Sequence, residues 1–461
     1  MRFWKKTATL FTCLLTSFGM VACGTFAGHS GADASVDGVD SADSNVEAEV
    51  QIKVILQRRQ FRLFLNGSGS ASQIVAGVYE NGVQIEDAMP TFTVEDPAVA
   101  EVATDGTITP KAVGKTNVTV SYNEESTQAE IFVVSEATSE QINSFDEAYI
   151  NTYGRVYEKN GKLCLDYVGA GAGVAINGNS LTANIEVDTT LYLCVYVDGA
   201  DEYERIELTP NKKEYTLATG LQRGFHTVRL VKSSEVYDGQ IRLVSFSSEG
   251  FYTAPEKSDL RIEFIGDSIT AGYGVLGGPG DGRTVKNSDA CSSYAYHTAQ
   301  ALGADYSMIA IQGICVKANM WLNEAMSDIY GYVSPLDRVE YGFTYDPDVV
   351  VLNLGTNDGS YITGKDYTYH ETFSEDYLAF LRYIREKNPN AYILCLYGMM
   401  GKQAHVDKGI NKAIAEMQDD KVIRVDEFAP NNLGANGHPS ASAQQGWGET
   451  LTEYIKDLLD I

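Results

Sequence analysis

Basic residues are scarce in this sequence of 461 residues. Its 35 Lys and Arg stand against 62 Asp and Glu, so the formal net charge is −27 at pH 7. Because Lys and Arg hold phosphates, and because anionic lipid surfaces repel such a chain, this balance argues against nucleic acids and bare membrane surfaces as partners. A neutral polymer such as a polysaccharide is compatible with it. The acidity is explained equally well as a means of keeping the protein soluble.

Cysteine is also sparse, and the seven present have neither the spacing of a metal site nor that of a disulfide framework. We therefore predict no metal and no cofactor. Cys13 and Cys23 lie in the N-terminal segment. The other five are expected to be small buried side chains, although a bridge between Cys164 and Cys194 stays open.

The apolar stretch at the N-terminus, residues 7–21, is too short to span a membrane. Positive residues precede it and small residues follow it, so residues 1–23 are predicted to be a secretion signal. The end of this segment resembles the bacterial lipobox. That resemblance implies that Cys23 is lipidated and that the protein is a lipoprotein on the bacterial cell surface, touching the membrane only through its lipid. Cleavage near Ala22 without lipidation is the alternative.

Three segments without a helical pattern follow. Residues 24–50 are small and acidic, and they predict a flexible linker, because they cannot bury enough apolar surface to offset their ordering entropy. Residues 51–136 alternate apolar and polar positions between turn residues, which predicts an all-β sandwich. Residues 145–252 continue with short β-prone runs and predict a second one, a jelly roll.

From residue 258 to residue 461, buried-strand runs alternate with helical patterns. This alternation predicts an α/β domain with a parallel five-stranded sheet of the flavodoxin-like kind. The predicted strands are 260–265, 306–311, 349–354, 391–396 and 422–425, and the clearest helices are 294–302, 373–387 and 407–418. Ligands bind such sheets at the carboxyl ends of the strands, which is therefore where chemistry is expected.

Four polar or glycine positions follow these strands. Ser268 comes directly after the first strand, where we expect the start of a helix, and Gly313 follows the second with a bare backbone N–H. Asn357 follows the third and can point its amide into the same crevice. His438 stands just before the terminal helix. Taken singly, each has an ordinary explanation, such as a helix cap, a turn residue or a surface histidine.

Taken in order, the four residues resemble the blocks of the SGNH hydrolases. The resemblance implies that Ser268 is the nucleophile and His438 its base, with an oxyanion hole formed by Ser268, Gly313 and Asn357. The "GxHTVxLxK" pattern of residues 224–232, Ser234-Glu235 and the GDSIT block together resemble carbohydrate esterase family 2. Residues 51–136 resemble bacterial immunoglobulin-like domains of group 2, which are usually spacers.

The family resemblance implies a serine esterase that removes O-acetyl groups from polysaccharides such as xylan or mannans through an acyl-enzyme. Its partner would be an acetylated poly- or oligosaccharide. Two alternatives stay open: an SGNH lipase or thioesterase, and an adhesion or carbohydrate-binding lipoprotein with a degenerate esterase fold. Hydrolysis of acetyl and long-chain esters distinguishes the three.

The sequence departs from the SGNH pattern next to the histidine. Ala435 occupies the position three residues before His438 at which these enzymes often carry Asp, and Gly437 stands where family 2 often has an aromatic residue. A Ser–His dyad oriented by a backbone carbonyl is therefore one alternative. Asp426 or Asp358 as the third member is the other. The remaining histidines carry no supporting motif, and His226 is expected to be structural.

Overall fold

The structure is a computed structural model that describes residues 52–57, 59–65, 73–80, 83–134, 140–222, 224–252, 254, 257–318 and 322–461. The predicted signal segment with Cys23 and the predicted linker 24–50 lie outside these residues. No helix in the described part of the chain is both long and apolar enough to cross a membrane.

Residues 52–134 form an all-β region, as the alternating pattern predicts. The sheets have the strand orders β2-β9-β8-β5, β1-β3-β4 and β6-β7. In β8, alternate residues such as Val118 and Val120 are buried against Ile131 and Val133 of β9. The likeness to immunoglobulin-like domains stays a prediction. The strands are β1 (Ile52–Leu56), β2 (Gln60–Phe64), β3 (Ala76–Glu80), β4 (Val83–Gln84), β5 (Thr91–Val94), β6 (Ala100–Val102), β7 (Ile108–Pro110), β8 (Gly114–Tyr122) and β9 (Glu125–Val134).

The next region is a sandwich of two six-stranded antiparallel sheets, which confirms the predicted jelly roll. One sheet has the order β12-β13-β20-β15-β18 with β10 on β20, and the other β11-β14-β19-β16-β17 with β21 on β14. Apolar residues of both sheets, such as Val174, Leu193 and Phe246, form the core between them. The strands are β10 (Gln141–Asn143), β11 (Ile150–Tyr153), β12 (Val156–Lys159), β13 (Lys162–Leu165), β14 (Gly171–Gly178), β15 (Leu181–Glu186), β16 (Leu191–Val197), β17 (Glu204–Leu208), β18 (Glu214–Ala218), β19 (Gly224–Lys232), β20 (Ile241–Ser247) and β21 (Phe251–Tyr252).

Residues 258–461 form the predicted α/β domain. Its elements are β22 (Arg261–Gly266), α1 (Tyr294–Ala301), β23 (Asp305–Ala310), α2 (Met326–Ile329), β24 (Tyr332–Ser334), β25 (Val339–Glu340), β26 (Val349–Asn353), α3 (Thr356–Gly364), α4 (Phe373–Lys387), β27 (Tyr392–Leu396), α5 (Ala404–Met417), β28 (Val422–Val425) and α6 (Ala441–Leu459). The main sheet is parallel, in the order β23-β22-β26-β27-β28. Strand order thus reverses beside β22, so the crevice beyond the carboxyl end of β22 is the expected binding position.

The two faces of this sheet bury different helices. Phe264 packs in a cluster with α1 and α6, and Ile265 packs in a second cluster with α4 and α5. Both clusters also contain jelly-roll residues, Val236 in one and Val231 in the other. The two domains therefore share continuous apolar packing. Cys164 and Cys194 are both buried thiols, so the bridge left open between them is not formed.

Candidate active site

Ser268 lies just beyond the carboxyl end of β22. The turn is tight: a Cβ on Gly266 would lie 2.0 Å from Thr270 Oγ1. The expectation that a helix begins at Ser268 is wrong, because consecutive turns cover residues 268–276 and the first helix begins at Tyr294. The reason lies in Gly272 and Gly274, whose φ angles of 69° and 60° are left-handed and cannot continue a right-handed helix.

The structure brings Ser268 and His438 together. Ser268 Oγ and His438 Nε2 are 2.8 Å apart, although 170 positions separate the two residues in the chain. His438 follows a short 3₁₀ turn, Ala435–Gly437, and precedes α6, whose first turn is capped by the Ser440 side chain. This distance is within the range over which a hydroxyl passes its proton to an imidazole.

The second imidazole nitrogen faces a backbone carbonyl. His438 Nδ1 lies 3.3 Å from the Asn436 carbonyl oxygen. Neither carboxylate considered above takes this position, since Asp426 pairs with Lys402 and Arg424 and Asp358 accepts from Val316 N–H. The geometry is therefore that of a dyad oriented by a carbonyl. Burial lowers the pKa of His438 to about 4, and the hydrogen bond with Asn436, which acts to raise the pKa, offsets this only in part.

The dyad opens into a cavity of about 440 Å³. Among the described residues it is lined by Ser268, Tyr273, Gln312, Gly313, Leu322, Asn357, Asn436 and His438. Gly313 has a left-handed φ of 75°. In the described part of the chain, neither the Ser268 N–H nor the Gly313 N–H has an acceptor, so both are available to a developing anion.

Asn357 lies at the start of α3 and reaches the cavity, as expected, but its amide is already engaged. Its Nδ2 is 3.2 Å from Asp267 Oδ2 and 3.0 Å from the Ile314 carbonyl oxygen. A hydrogen bond to an oxyanion would therefore be shared with one of these acceptors or would replace it. Asp267 also accepts from Ile269 N–H at 2.9 Å, and burial raises its pKa to about 7.

Tyr273 is a cavity residue that the sequence interpretation missed. Its ring centroid lies 4.1 Å from that of His438, and its hydroxyl accepts from Asn436 Nδ2 at 3.1 Å. The tyrosine thus covers the imidazole and holds the loop that orients it. An aromatic residue five positions after Ser268 was the available indication. Tyr273 thus supplies an aromatic neighbour for His438, which Gly437, standing where an aromatic residue is often found, does not supply.

The other described histidines, His226, His297, His370 and His405, do not line this cavity. His226, on β19, bonds to Asp198 at 2.7 Å, a contact that raises its pKa, in agreement with a structural role. The part of the chain described contains one group of clustered thiol and carboxyl ligand atoms, in Cys194, Asp289 and Cys291, all within 4.8 Å of one another. Asp289 there accepts from Ser233 Oγ at 2.8 Å and from Cys291 N–H at 3.1 Å, so it serves as a hydrogen-bond acceptor between the two domains.

Comparisons with known proteins agree with this division of the chain. Residues 152–255 match the family described as "Carbohydrate esterase 2 N-terminal", and residues 264–452 match the "GDSL-like Lipase/Acylhydrolase family". A "Cellulase/esterase CelE" of Acetivibrio thermocellus is 30% identical over 320 residues, 66% of this chain but 38% of that protein. An "Acetylxylan esterase / glucomannan deacetylase" of Cellvibrio japonicus is 26% identical over 305 residues, 61% of this chain and 82% of that protein.

Solved structures show the same likeness. A family two carbohydrate esterase from Clostridium thermocellum, in complex with cellohexaose, has a TM-score of 0.63 and 28% identity, covering 68% of this chain and 99% of that one. An acetyl xylan esterase from the rumen bacterium Butyrivibrio proteoclasticus has a TM-score of 0.63 and 25% identity, covering 70% and 100%. The covered share corresponds in size to the jelly roll and the α/β domain together.

Proposed function

Since the chain belongs, through residues 152–255 and 264–452, to the families of the carbohydrate esterase 2 N-terminal domain and of the GDSL-like acylhydrolases, we propose that it is a serine esterase that removes O-acetyl groups from a polysaccharide. The observation that carries this proposal is the 2.8 Å contact between Ser268 Oγ and His438 Nε2 at the switch point of the sheet. A binding protein that had lost its chemistry would have no need to keep this pair aligned.

The proposed reaction has two steps, acylation of Ser268 and hydrolysis of the acyl-enzyme. His438 Nε2 takes the Ser268 hydroxyl proton while Oγ bonds to the acetyl carbonyl carbon, and the carbonyl oxygen becomes an oxyanion that faces the N–H groups of Ser268 and Gly313. The bond from carbon to the sugar oxygen then breaks, and His438 returns the proton to that oxygen. Water repeats the sequence on the acyl-enzyme, which releases acetate and restores the serine.

The substrate class follows from charge and from the relatives. A chain of net charge −27 binds a neutral polysaccharide without the repulsion that a polyanion would meet. The relatives include an acetylxylan esterase / glucomannan deacetylase, and one related structure holds cellohexaose. We therefore expect acetylated xylan or glucomannan to be substrates. Because these relatives are described as acting on acetyl esters, we expect long acyl chains to be poorer substrates.

The first assay measures acetate release from acetylated xylan, acetylated glucomannan and acetylated simple sugars. The second compares the turnover of a chromogenic acetate with that of a long-chain ester of the same chromogenic alcohol. We expect release from at least one polysaccharide and much faster turnover of acetyl than of long-chain esters. A preference for the long-chain ester would favour the lipase alternative. Binding of these polymers without any hydrolysis would favour the adhesion alternative.

The low pKa of His438 predicts an unusual pH profile. The imidazole is a base only when neutral, which is the form above its pKa, and burial places that pKa at about 4. We expect kcat/KM for an acetyl ester to be close to its maximum at about pH 5 and to fall as the pH drops through 4. An ordinary solvated histidine would already lose half of the rate near pH 6.5. A midpoint near 6.5 would contradict this reading of the dyad.

A further inference from the structure

One buried carboxyl group of the jelly roll reaches the α/β domain beside the proposed oxyanion hole. Beyond the end of β19 the chain crosses to that domain, where the Ser233 carbonyl accepts from Ala290 N–H at 3.0 Å. Two residues later, Glu235 Oε2 accepts from Gln312 N–H at 3.0 Å. Gln312 directly precedes Gly313. The contact therefore joins two domains at the residue before one of the two available N–H groups.

The segment that carries Glu235 is held firmly. Lys232, which is fully buried, donates through Nζ to the carbonyl oxygens of Asp166, Ser234 and Glu235 at 2.8, 2.8 and 2.9 Å. Glu235 N–H donates to Asp238 Oδ2 at 3.0 Å, and Asp238 is paired with Arg283. An ammonium that binds two carbonyls of this segment, and a third from Asp166 elsewhere in the jelly roll, fixes the backbone of the segment, so the Glu235 side chain starts from a rigid position.

The loop that receives Glu235 is tied on its other side by the α/β domain itself. Asp358 accepts from Val316 N–H, at 3.1 and 3.2 Å from its two oxygens, and Asn357 donates to the Ile314 carbonyl. These two hydrogen bonds hold residues that follow Gly313 in the chain. The hydrogen bond to Glu235 holds Gln312, the residue that precedes Gly313. Because Gly313 has a left-handed φ and no side chain, the direction of its N–H depends on how the flanking peptides are held.

Packing alone does not explain an acid at this position. Glu235 is fully buried, and its Oε1 has no hydrogen-bond partner among the described residues. Burying a carboxyl oxygen without a partner is costly, so an apolar side chain of the same length would serve the interface better. Burial also raises the pKa of Glu235 to about 8. The carboxyl group does act as an acceptor for the Gln312 N–H, at 3.0 Å from Oε2.

We propose that Glu235 is a positioning residue of the esterase: the jelly roll uses it to hold the Ile311–Gln312 peptide through the Gln312 N–H, and thereby to orient the next peptide, whose Gly313 N–H is one donor of the oxyanion hole. This proposal rests on the proposed function. It makes the jelly roll part of the catalytic machinery, apart from any part it has in binding polysaccharide.

Three variants of the full chain test it. Glu235→Gln keeps an acceptor oxygen at the same reach, Glu235→Met keeps the length without an acceptor, and Glu235→Asp keeps the carboxyl group but shortens its reach. Tyr157→Phe is the matched control, because the Tyr157 hydroxyl crosses the same domain boundary to Asp337 without touching the cavity. The readouts are kcat and KM on a chromogenic acetate, the melting temperature, and the inhibition constant of a boronic acid that forms a tetrahedral adduct with the serine.

We expect kcat to fall about 10- to 100-fold in Glu235→Met and Glu235→Asp, less than for loss of a whole oxyanion donor, while KM changes less than about threefold. The boronic acid should bind more weakly by a similar factor. Glu235→Gln should stay within about threefold of the wild-type kcat, and Tyr157→Phe should match the wild type.

The outcomes separate this inference from the function on which it rests. A wild-type chain without esterase activity would refute the proposed function. An active wild type whose folded Glu235→Asp variant keeps full kcat would overturn only the role of Glu235, and so would a Glu235→Gln variant as impaired as Glu235→Met. If Glu235→Met does not fold, the comparison of Glu235→Asp with Glu235→Gln decides, since both keep a polar side chain.

Discussion

Replacing Ser268 with Ala is expected to lower kcat for acetate release by about 10⁴-fold or more, because in serine hydrolases the hydroxyl forms the covalent intermediate and its loss has effects of that order. Ser268 is only 6% exposed, and its Oγ contacts His438 Nε2. Removing one oxygen from a turn leaves the backbone and the cavity in place. The fold should therefore be retained, as judged by circular dichroism and melting temperature.

Ser442→Ala is a suitable control for this variant. Ser442 is exposed in the first turn of α6, where its hydroxyl contacts Ser440, and it does not line the cavity. Its turnover should equal that of the wild type. A Ser268→Ala protein that hydrolyses the ester at the wild-type rate would remove Ser268 as the nucleophile, and with it the proposed mechanism.

Replacing Arg155 with Met is expected to destabilise the protein by about 3–5 kcal/mol, because it leaves a buried carboxylate without its partner. Arg155, between β11 and β12 of the jelly roll, and Glu263, on β22, are each 2% exposed, and Arg155 Nη2 lies 3.1 Å from Glu263 Oε1. The guanidinium also donates to the Tyr332 carbonyl at 3.0 Å and stacks 4.0 Å from the Tyr341 ring centroid. Urea unfolding followed by circular dichroism measures the loss.

Two further variants control this experiment. Lys159→Met removes an ion pair with Asp337 that crosses the same domain boundary, but the Lys159 side chain is 48% exposed, so no measurable change is expected. The double variant Arg155→Met with Glu263→Met removes both charges, and it should recover part of the stability lost in Arg155→Met. Equal urea midpoints for Arg155→Met and the wild type would contradict a stabilising role for this buried pair.

The fold could be predicted because its elements carry strong periodic patterns. The apolar runs of β22, β23, β26, β27 and β28 and the helical spacing of α4 predicted a parallel sheet with helices, and the structure confirms this class. The helix expected after Ser268 was wrong because its pattern was interrupted by Gly272 and Gly274, each in a left-handed conformation. The boundaries of α5 also differed, since it begins at Ala404, three residues before the predicted start.

The sequence could predict those parts of the candidate site that are formed by side chains, but not the parts that are formed by backbone groups. Ser268, Gly313, Asn357 and His438 were chosen by type and order, and all four line one cavity. The partner of His438 Nδ1 is a backbone carbonyl, which every residue has, so the sequence left the carbonyl and two carboxylates as alternatives. Glu235 was visible in a motif, but its partner is a backbone N–H in another domain. Such contacts depend on tertiary placement that no local pattern encodes.

The long separation of Ser268 and His438 affects the timing of synthesis. Ser268 follows the first strand of the α/β domain, whereas His438 precedes its last helix, α6. A nascent chain can fold its jelly roll and most of the sheet before His438 has emerged from the ribosome. On the proposed mechanism, ester cleavage therefore needs both ends of this domain in place, and a protease that cuts between the two residues and frees the C-terminal piece would abolish the activity.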